Sequence, residues 1–171
     1  MKIILASKSP RRKEILRLFT DKFTVIKTQV DETFNYDYDT LTNSMSISKK
    51  KAASIECDTD SLVISADTIV FSDNKVLGKA ASPEEAFKEL EQLSGKTHQV
   101  ITAFAIKSKD KTVVDYEITN VTFKSLTNED IWAYINTGEW EDKAGSYAIQ
   151  GKGSTLIKNI NGDYFNVVGL P

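Results

Sequence analysis

The residues Ser61-Leu62-Val63-Ile64-Ser65-Ala66-Asp67-Thr68-Ile69-Val70-Phe71 form one of the longest apolar runs in the chain. Their Val and Ile content and their length mark a buried β-strand. The run is strand-sized, far short of the ~20 apolar residues a membrane helix needs. One acid interrupts it. Asp is a poor strand former and costly to bury unpaired. An Asp at the end of a central strand is a recurring position for a metal ligand or a general base. The plainer alternative is that Asp67 caps a turn or pairs with a lysine.

Outward from this strand, periodicity and punctuation give the rest of the organisation. Lys2–Ala6 and Phe23–Thr28 read as strands. Between them Ser9-Pro10 pairs an N-cap with a proline at the first helical position, which predicts a helix over Pro10–Phe19 with Ile15, Leu16, Leu18 and Phe19 as its apolar face. A second helix is predicted over Asn43–Glu56. Lys75–Leu77 reads as a short hairpin partner of the central strand. Ser82-Pro83 repeats the cap-then-proline pattern and opens a helix to Leu93, with Gly95 near its C-cap. His98–Lys107 and Val113–Ser125 are expected as long strands joined by the polar turn Ser108–Lys111. Thr127 caps a helix over Asn128–Asn136. Thr155–Ile160 and Tyr164–Val168 are expected as strands flanking the turn signal Asn161-Gly162. Strands alternating with helices argue for an α/β (mixed α+β) domain with a mixed sheet. A length of 171 residues predicts one domain over 1–171.

Composition narrows the chemistry. Lys plus Arg number 22 against 24 Asp plus Glu, for a formal net charge of −2, so nothing draws the whole chain to nucleic acid or to a membrane. Cys57 is the only cysteine and His98 the only histidine. No intramolecular disulfide can form, and no Cys/His zinc site can be built. A reduced, cytoplasmic setting is the expectation, and acid–base or metal chemistry falls to carboxylates.

Several segments could carry that chemistry. Ala6-Ser7-Lys8-Ser9-Pro10-Arg11-Arg12 places two guanidiniums at a helix N-terminus, where backbone N–H groups favour an anion. The macrodipole disfavours cations in a first turn, a conflict that a phosphate would relieve; ordinary capping on a solvated surface is the alternative. Asp31-Glu32 lies in a polar loop. Lys49-Lys50-Lys51 lies on a helix, where one or two of the three can face a site. Asp142 to Gly153 holds three of the eight glycines. It reads either as backbone that approaches a ligand or as a bulged structural loop. Gln150 there can both donate and accept, which suits a nucleobase edge. Leu77-Gly78-Lys79 adds a lysine after a tight turn.

In order and spacing these segments resemble the Maf family of nucleoside triphosphate pyrophosphatases. The resemblance rests on Leu5-Ala6-Ser7-Lys8-Ser9-Pro10-Arg11-Arg12, Asp31-Glu32-Thr33, Lys51-Ala52, Ala66-Asp67-Thr68-Ile69-Val70 and Leu77-Gly78-Lys79. It continues through Leu93 to Val100, Lys143-Ala144-Gly145-Ser146-Tyr147-Ala148-Ile149-Gln150-Gly151 and Val167 to Pro171. It implies an elongated mixed sheet flanked by helices, similar to the inosine triphosphatase-like fold. It also implies hydrolysis of a nucleoside triphosphate to monophosphate and pyrophosphate, with a divalent cation, Mg2+ or Mn2+. By the same resemblance Asp67 is the catalytic acid–base residue and, with Glu32, a metal ligand. Ser7, Arg11, Arg12, Lys51, Thr68, Lys79, Lys143 and Gln150 are the implied substrate-binding residues. A branch that acts on 7-methyl-GTP tends to carry Trp, Gln and Glu at the positions of Arg11, Thr68 and Gln150, so this chain resembles the dTTP/UTP branch. Nucleic acid and membrane are not expected partners, and a homodimer is compatible with the resemblance. Ala80 and Trp140 stand where relatives commonly have Pro, and the sequence ends at Pro171, where relatives usually continue into a C-terminal helix. Two other readings stay open: an inosine/xanthosine triphosphate pyrophosphatase, and a non-catalytic nucleotide-binding regulator of cell division.

Overall fold

A computed structural model describes residues 1–35 and 37–171. Its strands are β1 (Lys2–Ala6), β2 (Phe23–Ile26), β3 (Ser61–Ser72), β4 (Lys75–Leu77), β5 (Thr97–Lys107), β6 (Thr112–Phe123) and β7 (Ile157–Asn161). Its helices are α1 (Pro10–Arg17), α2 (Thr40–Ala53), α3 (Pro83–Leu93), α4 (Asn128–Ile135) and α5 (Tyr164–Val168), with a 3-10 helix over Gly151–Leu156. The strands form a seven-stranded sheet in the order β2-β1-β3-β5-β6-β7, and β4 pairs with β3. The sheet is mixed, since β1 runs parallel to β2 and β3 while β3–β4 and β6–β7 are antiparallel. The α/β class is therefore as expected, with the Asp67 strand inside the sheet.

The chain groups into two compact units. Unit 1 comprises Met1–Thr68, Thr102–Glu117 and Gly169–Pro171, and unit 2 comprises Ile69–Ile101 and Ile118–Val168. Within unit 1, Ala6, Val63, Ala52 and Ala105 are fully buried and form a small core. Alanine at three of these four positions lets backbone approach backbone closely. Helix α1 begins as predicted, with the Ser9 side chain accepting from Arg12 N. It ends earlier than expected. Ile15 and Leu16 are buried, but Leu18 and Phe19 are 67% and 77% exposed and do not belong to its packed face. Helix α2 starts at Thr40, because Asp39 supplies the N-cap, accepting from Thr42 N at 2.8 Å. The sequence reading placed that start at Asn43. The Asn43 side chain instead ties the preceding loop, donating to Asn35 O at 2.8 Å and accepting from Asn35 N at 2.8 Å.

Unit 2 holds the larger core, in which Leu90, Leu93, Val100, Val121, Phe123 and Ile131 are almost wholly buried. Ser82 caps α3 as predicted, and α4 carries a reciprocal capping box between Thr127 and Asp130. The expected C-terminal hairpin is not formed. Tyr164–Val168 is helix α5, not a strand, because Asp163 caps it: its carboxylate accepts from Phe165 N at 2.8 Å and Asn166 N at 3.2 Å. A cap competes directly with ladder pairing for those N–H groups. Thr155 and Leu156 likewise belong to the 3-10 helix, so β7 begins at Ile157.

His98 is 2% exposed, packs edge-on against Phe123 and Tyr147, and shares a 2.7 Å hydrogen bond through Nε2 with the Tyr147 hydroxyl. Burial pushes its pKa down to about 4 from an ordinary 6.5. Between those values the unfolded chain binds a proton that the folded chain refuses, so stability falls as the pH drops through this window. The loss reaches about 3 kcal/mol, at 1.36 kcal/mol per pH unit. Urea unfolding at pH 7 and pH 4.5 checks it: His98→Gln is expected to be less stable at pH 7 and to lose less on acidification than the parent. Equal acid sensitivity in both chains would exclude His98 as a source of it.

Candidate active site

Asp67 lies on β3 with 9% of its surface exposed, and in unit 1 its carboxylate is gripped from α2. Lys51 Nζ is 3.0 Å from Asp67 Oδ1 and 2.9 Å from Glu32 Oε2. Ser44 Oγ lies 3.1 Å from Asp67 Oδ2. Lys51 is itself 6% exposed, so its charge is compensated by the two acids instead of by water. Sequence proximity does not group these residues; helical periodicity and strand alternation do. Ser44, Ser48 and Lys51 recur at i, i+4 and i+7 along α2. Ser65 and Asp67 are alternate residues of β3, and Ser65 Oγ donates to Ser48 O at 2.6 Å. That bond and the Ser44 bond pin the helix against the strand. The sequence reading missed Ser44, although its spacing from Lys51 places both on one helical face.

Arg12 is the second organised cation of unit 1. Its Nε donates to Gly169 O at 2.7 Å, Nη1 to Ser7 Oγ at 3.2 Å and Nη2 to Thr68 Oγ1 at 2.9 Å. Burial lowers its pKa, and the field of Asp67 opposes that shift. Thr68 Oγ1 also shares a 2.9 Å hydrogen bond with Thr102 Oγ1. Thus Ser7, Arg12 and Thr68, three of the expected substrate contacts, already bond to one another. Arg11 stands beside Arg12 in the first turn of α1, and its charge acts on Arg12. The Gly169 carbonyl, an unforeseen partner of Arg12, is approached closely because glycine occupies that position with φ +127°.

Unit 2 carries the remaining expected residues. Lys79 and Ala144 form an isolated antiparallel bridge, and Gly145 N donates to Gly78 O at 2.9 Å, so Lys79 and Lys143 lie on paired segments. Lys79 Nζ is 3.8 Å from the exposed Asp142, and Lys143 Nζ donates to Glu141 O at 3.1 Å. Gln150 precedes the 3-10 helix, and its side chain makes no capping bond. The loop is fixed from several sides. Ser146 Oγ donates to Glu89, Ala148 N to the Tyr134 hydroxyl at 3.1 Å, and Gly153 N to Glu139 Oε2 at 3.2 Å. Its glycines are packed against protein. A Cβ on Gly145 would lie 3.0 Å from Val70, and one on Gly153 only 2.1 Å from Ala148 O.

The Maf-like protein family matches residues 2–171. The chain belongs to the Maf family. Relatives named dTTP/UTP pyrophosphatase from Bacillus cereus strains G9842 and AH187 are 50% and 51% identical to it over 171 residues, covering 99% of this chain and 90% of theirs. Among solved structures, the Staphylococcus aureus Ham1 protein overlaps 72% of this Maf chain and 72% of its own, with 16% identity and a TM-score of 0.48. A Mycobacterium abscessus nucleoside-triphosphatase / dITP/XTP pyrophosphatase overlaps 74% and 76%, with 13% identity and a TM-score of 0.45. No helix of the described residues is long and apolar enough to cross a membrane.

The buried Lys51–Asp67 pair makes a stability prediction. Lys51→Met leaves a buried carboxylate uncompensated and should cost about 3 kcal/mol. Adding Asp67→Asn to that chain should restore a large part of the loss. A double-mutant cycle by urea unfolding checks this, and strictly additive losses would show that the two charges do not interact.

Proposed function

We propose that this Maf protein is a nucleoside triphosphate pyrophosphatase acting on dTTP and UTP, with a house-cleaning role in the cytoplasmic nucleotide pool. The observation that carries the reading is Asp67, a carboxylate buried in a β-strand and held at both oxygens, in a chain half identical to named dTTP/UTP pyrophosphatases. A buried acid with two dedicated partners is costly to maintain as structure alone.

A triphosphate carries about four negative charges, and its oxygens repel an incoming nucleophile until they are neutralised. Arg11, Arg12, Lys51, Lys79 and Lys143 are the cations proposed for that work, with Ser7 contributing a hydroxyl. Asp67 orients the attacking water and takes its proton as the water oxygen bonds to phosphorus and the α–β bridging bond breaks. The products are the monophosphate and pyrophosphate. Gln150 and Thr68 are proposed to read the pyrimidine, Gln150 through its paired donor and acceptor.

The donor set also suits a divalent cation. Among the described residues no group of three or more His, Cys, Asp or Glu gathers as a cage. Glu32 and Asp67 stand on one ammonium, however, and Mg2+ needs only one or two carboxylates when substrate phosphates and water complete its shell. Glu32 and Asp67 are the proposed ligands, and a bound Mg2+ or Mn2+ would neutralise phosphate charge and acidify coordinated water.

A panel of nucleoside triphosphates assayed for pyrophosphate, with the metal present or chelated, tests the reading. dTTP and UTP should be the best substrates, and chelation should abolish turnover. Preference for ITP or XTP would reassign the chain to the purine house-cleaning class, and binding without turnover would make it a regulator. Asp67→Asn should lose at least about 100-fold in kcat while still binding nucleotide. Near-normal pyrophosphate release by that variant would refute Asp67 as the base. Gln150→Glu should depress dTTP and UTP hydrolysis, and unchanged rates would remove Gln150 from base readout.

A further inference from the structure

We propose that Ser44 is a positioning residue for Asp67, and that α2 acts as a two-point holder of the catalytic carboxylate. The proposal rests on the reading of Asp67 as the base. It starts from a peculiarity of α2: a serine hydroxyl, 1% exposed, sits mid-helix. A mid-helix serine ordinarily turns to solvent or bonds back to its own helix. Ser48 does so, donating to Met45 O at 2.9 Å. Ser44 does not. Its Oγ reaches across to β3, 3.1 Å from Asp67 Oδ2 and 3.2 Å from Asp67 O.

One lysine cannot fix a carboxylate alone. An ammonium at the end of a four-carbon stem constrains distance and leaves the plane of the carboxylate free to turn about χ2. A second donor on the other oxygen removes that freedom. Here Lys51 takes Oδ1 at 3.0 Å and Ser44 takes Oδ2 at 3.1 Å. Both donors belong to one rigid helix, two turns apart, whose register against β3 is set independently by the Ser65–Ser48 bond. The hydroxyl touches neither substrate nor reacting atoms in this scheme; it acts through Asp67. A carboxylate held in one orientation presents its lone pairs to the water in a fixed direction, the kind of alignment whose loss costs rate more than binding.

The test compares Ser44→Ala, Ser44→Thr and Ser65→Ala with the parent in steady-state dTTP hydrolysis, alongside thermal unfolding of each. Ser44→Ala should lower kcat about 10- to 100-fold, the range typical of residues that orient a catalytic group. Its KM should stay within about twofold, since no substrate contact is removed. Ser44→Thr keeps the hydroxyl and should recover most of kcat. Ser65→Ala deletes a hydrogen bond between the same helix and strand without touching Asp67, so it should lower the melting temperature with a smaller loss of kcat than Ser44→Ala. If Ser44→Ala and Ser65→Ala lose kcat equally, or if Ser44→Ala merely melts earlier at full kcat, the proposal fails. Asp67→Asn run in parallel separates the two levels. An inactive Asp67→Asn beside a fully active Ser44→Ala overturns the positioning role alone. An active Asp67→Asn overturns the reading of the base itself.

Discussion

The ammonium of Lys51, 2.9 Å from Glu32 and 3.0 Å from Asp67, is the interaction on which the rest of unit 1 depends. A carboxylate inside a β-strand cannot stand alone, since an unpaired buried charge costs several kcal/mol. Lys51 makes Asp67 tolerable there, and in doing so it dictates where α2 must lie. The helix has to bring a lysine stem through the layer between helix and sheet. The neighbouring core positions, Ala6, Ala52, Val63 and Ala105, are correspondingly small. Small side chains let the helix approach closely enough for Ser44 and Lys51 to meet the strand directly. Packing and charge thus constrain each other: a bulkier core would lift α2 away and strand the acid.

Arg12 plays a comparable part where α1 begins. Three of its N–H directions are already used, toward Ser7, Thr68 and the Gly169 carbonyl. This changes what an arginine in a first helical turn means. The macrodipole makes the position unfavourable for a cation, and the structure meets that cost partly with fixed protein acceptors and with the field of Asp67. A guanidinium has five N–H groups, so an engaged Arg12 still has donors for an anion, now held in a set direction. The staple also ties Thr68, the residue after Asp67, to the segment that begins α1. The acid and the segment that begins α1 therefore cannot drift independently.

Much of this was legible in the sequence, and what was not fails for identifiable reasons. The Asp67 strand is readable because an acid in a Val- and Ile-rich run has few bland explanations, and one of them, pairing with a lysine, is met by the Lys51 contact. The proline-marked starts of α1 and α3 were readable because cap and proline act within four residues. Tyr164–Val168 reads as a strand in the sequence and is a helix in the structure, because its apolar residues fit either period. The deciding group is the Asp163 carboxylate, which stands next to the more conspicuous Asn161-Gly162 turn signal. Leu18 and Phe19 were given to a buried face by periodicity alone, which cannot say where a helix stops. Ser44 is hard to single out for a different reason: a serine in a polar, serine-rich helix has no compositional signature, and its helical spacing from Lys51 gains meaning only from the tertiary pairing of α2 with β3.

The glycine-rich loop of unit 2 shows how a motif can be recognised for one reason and built for another. Its glycines suggest backbone open to a ligand, yet Gly145 is crowded by Val70 and Gly153 by the Ala148 carbonyl. They are required because protein, not ligand, fills the space a side chain would need. The same holds for the loop's polar groups, which are spent on Gly78, Glu89, His98, Tyr134 and Glu139. A segment tied at that many points has little conformational freedom left. Lys143 and Gln150 are therefore borne on ordered backbone. The solitary histidine, which the composition leaves without chemistry, contributes as one of those ties: neutral, buried and bonded to Tyr147 in the middle of the loop.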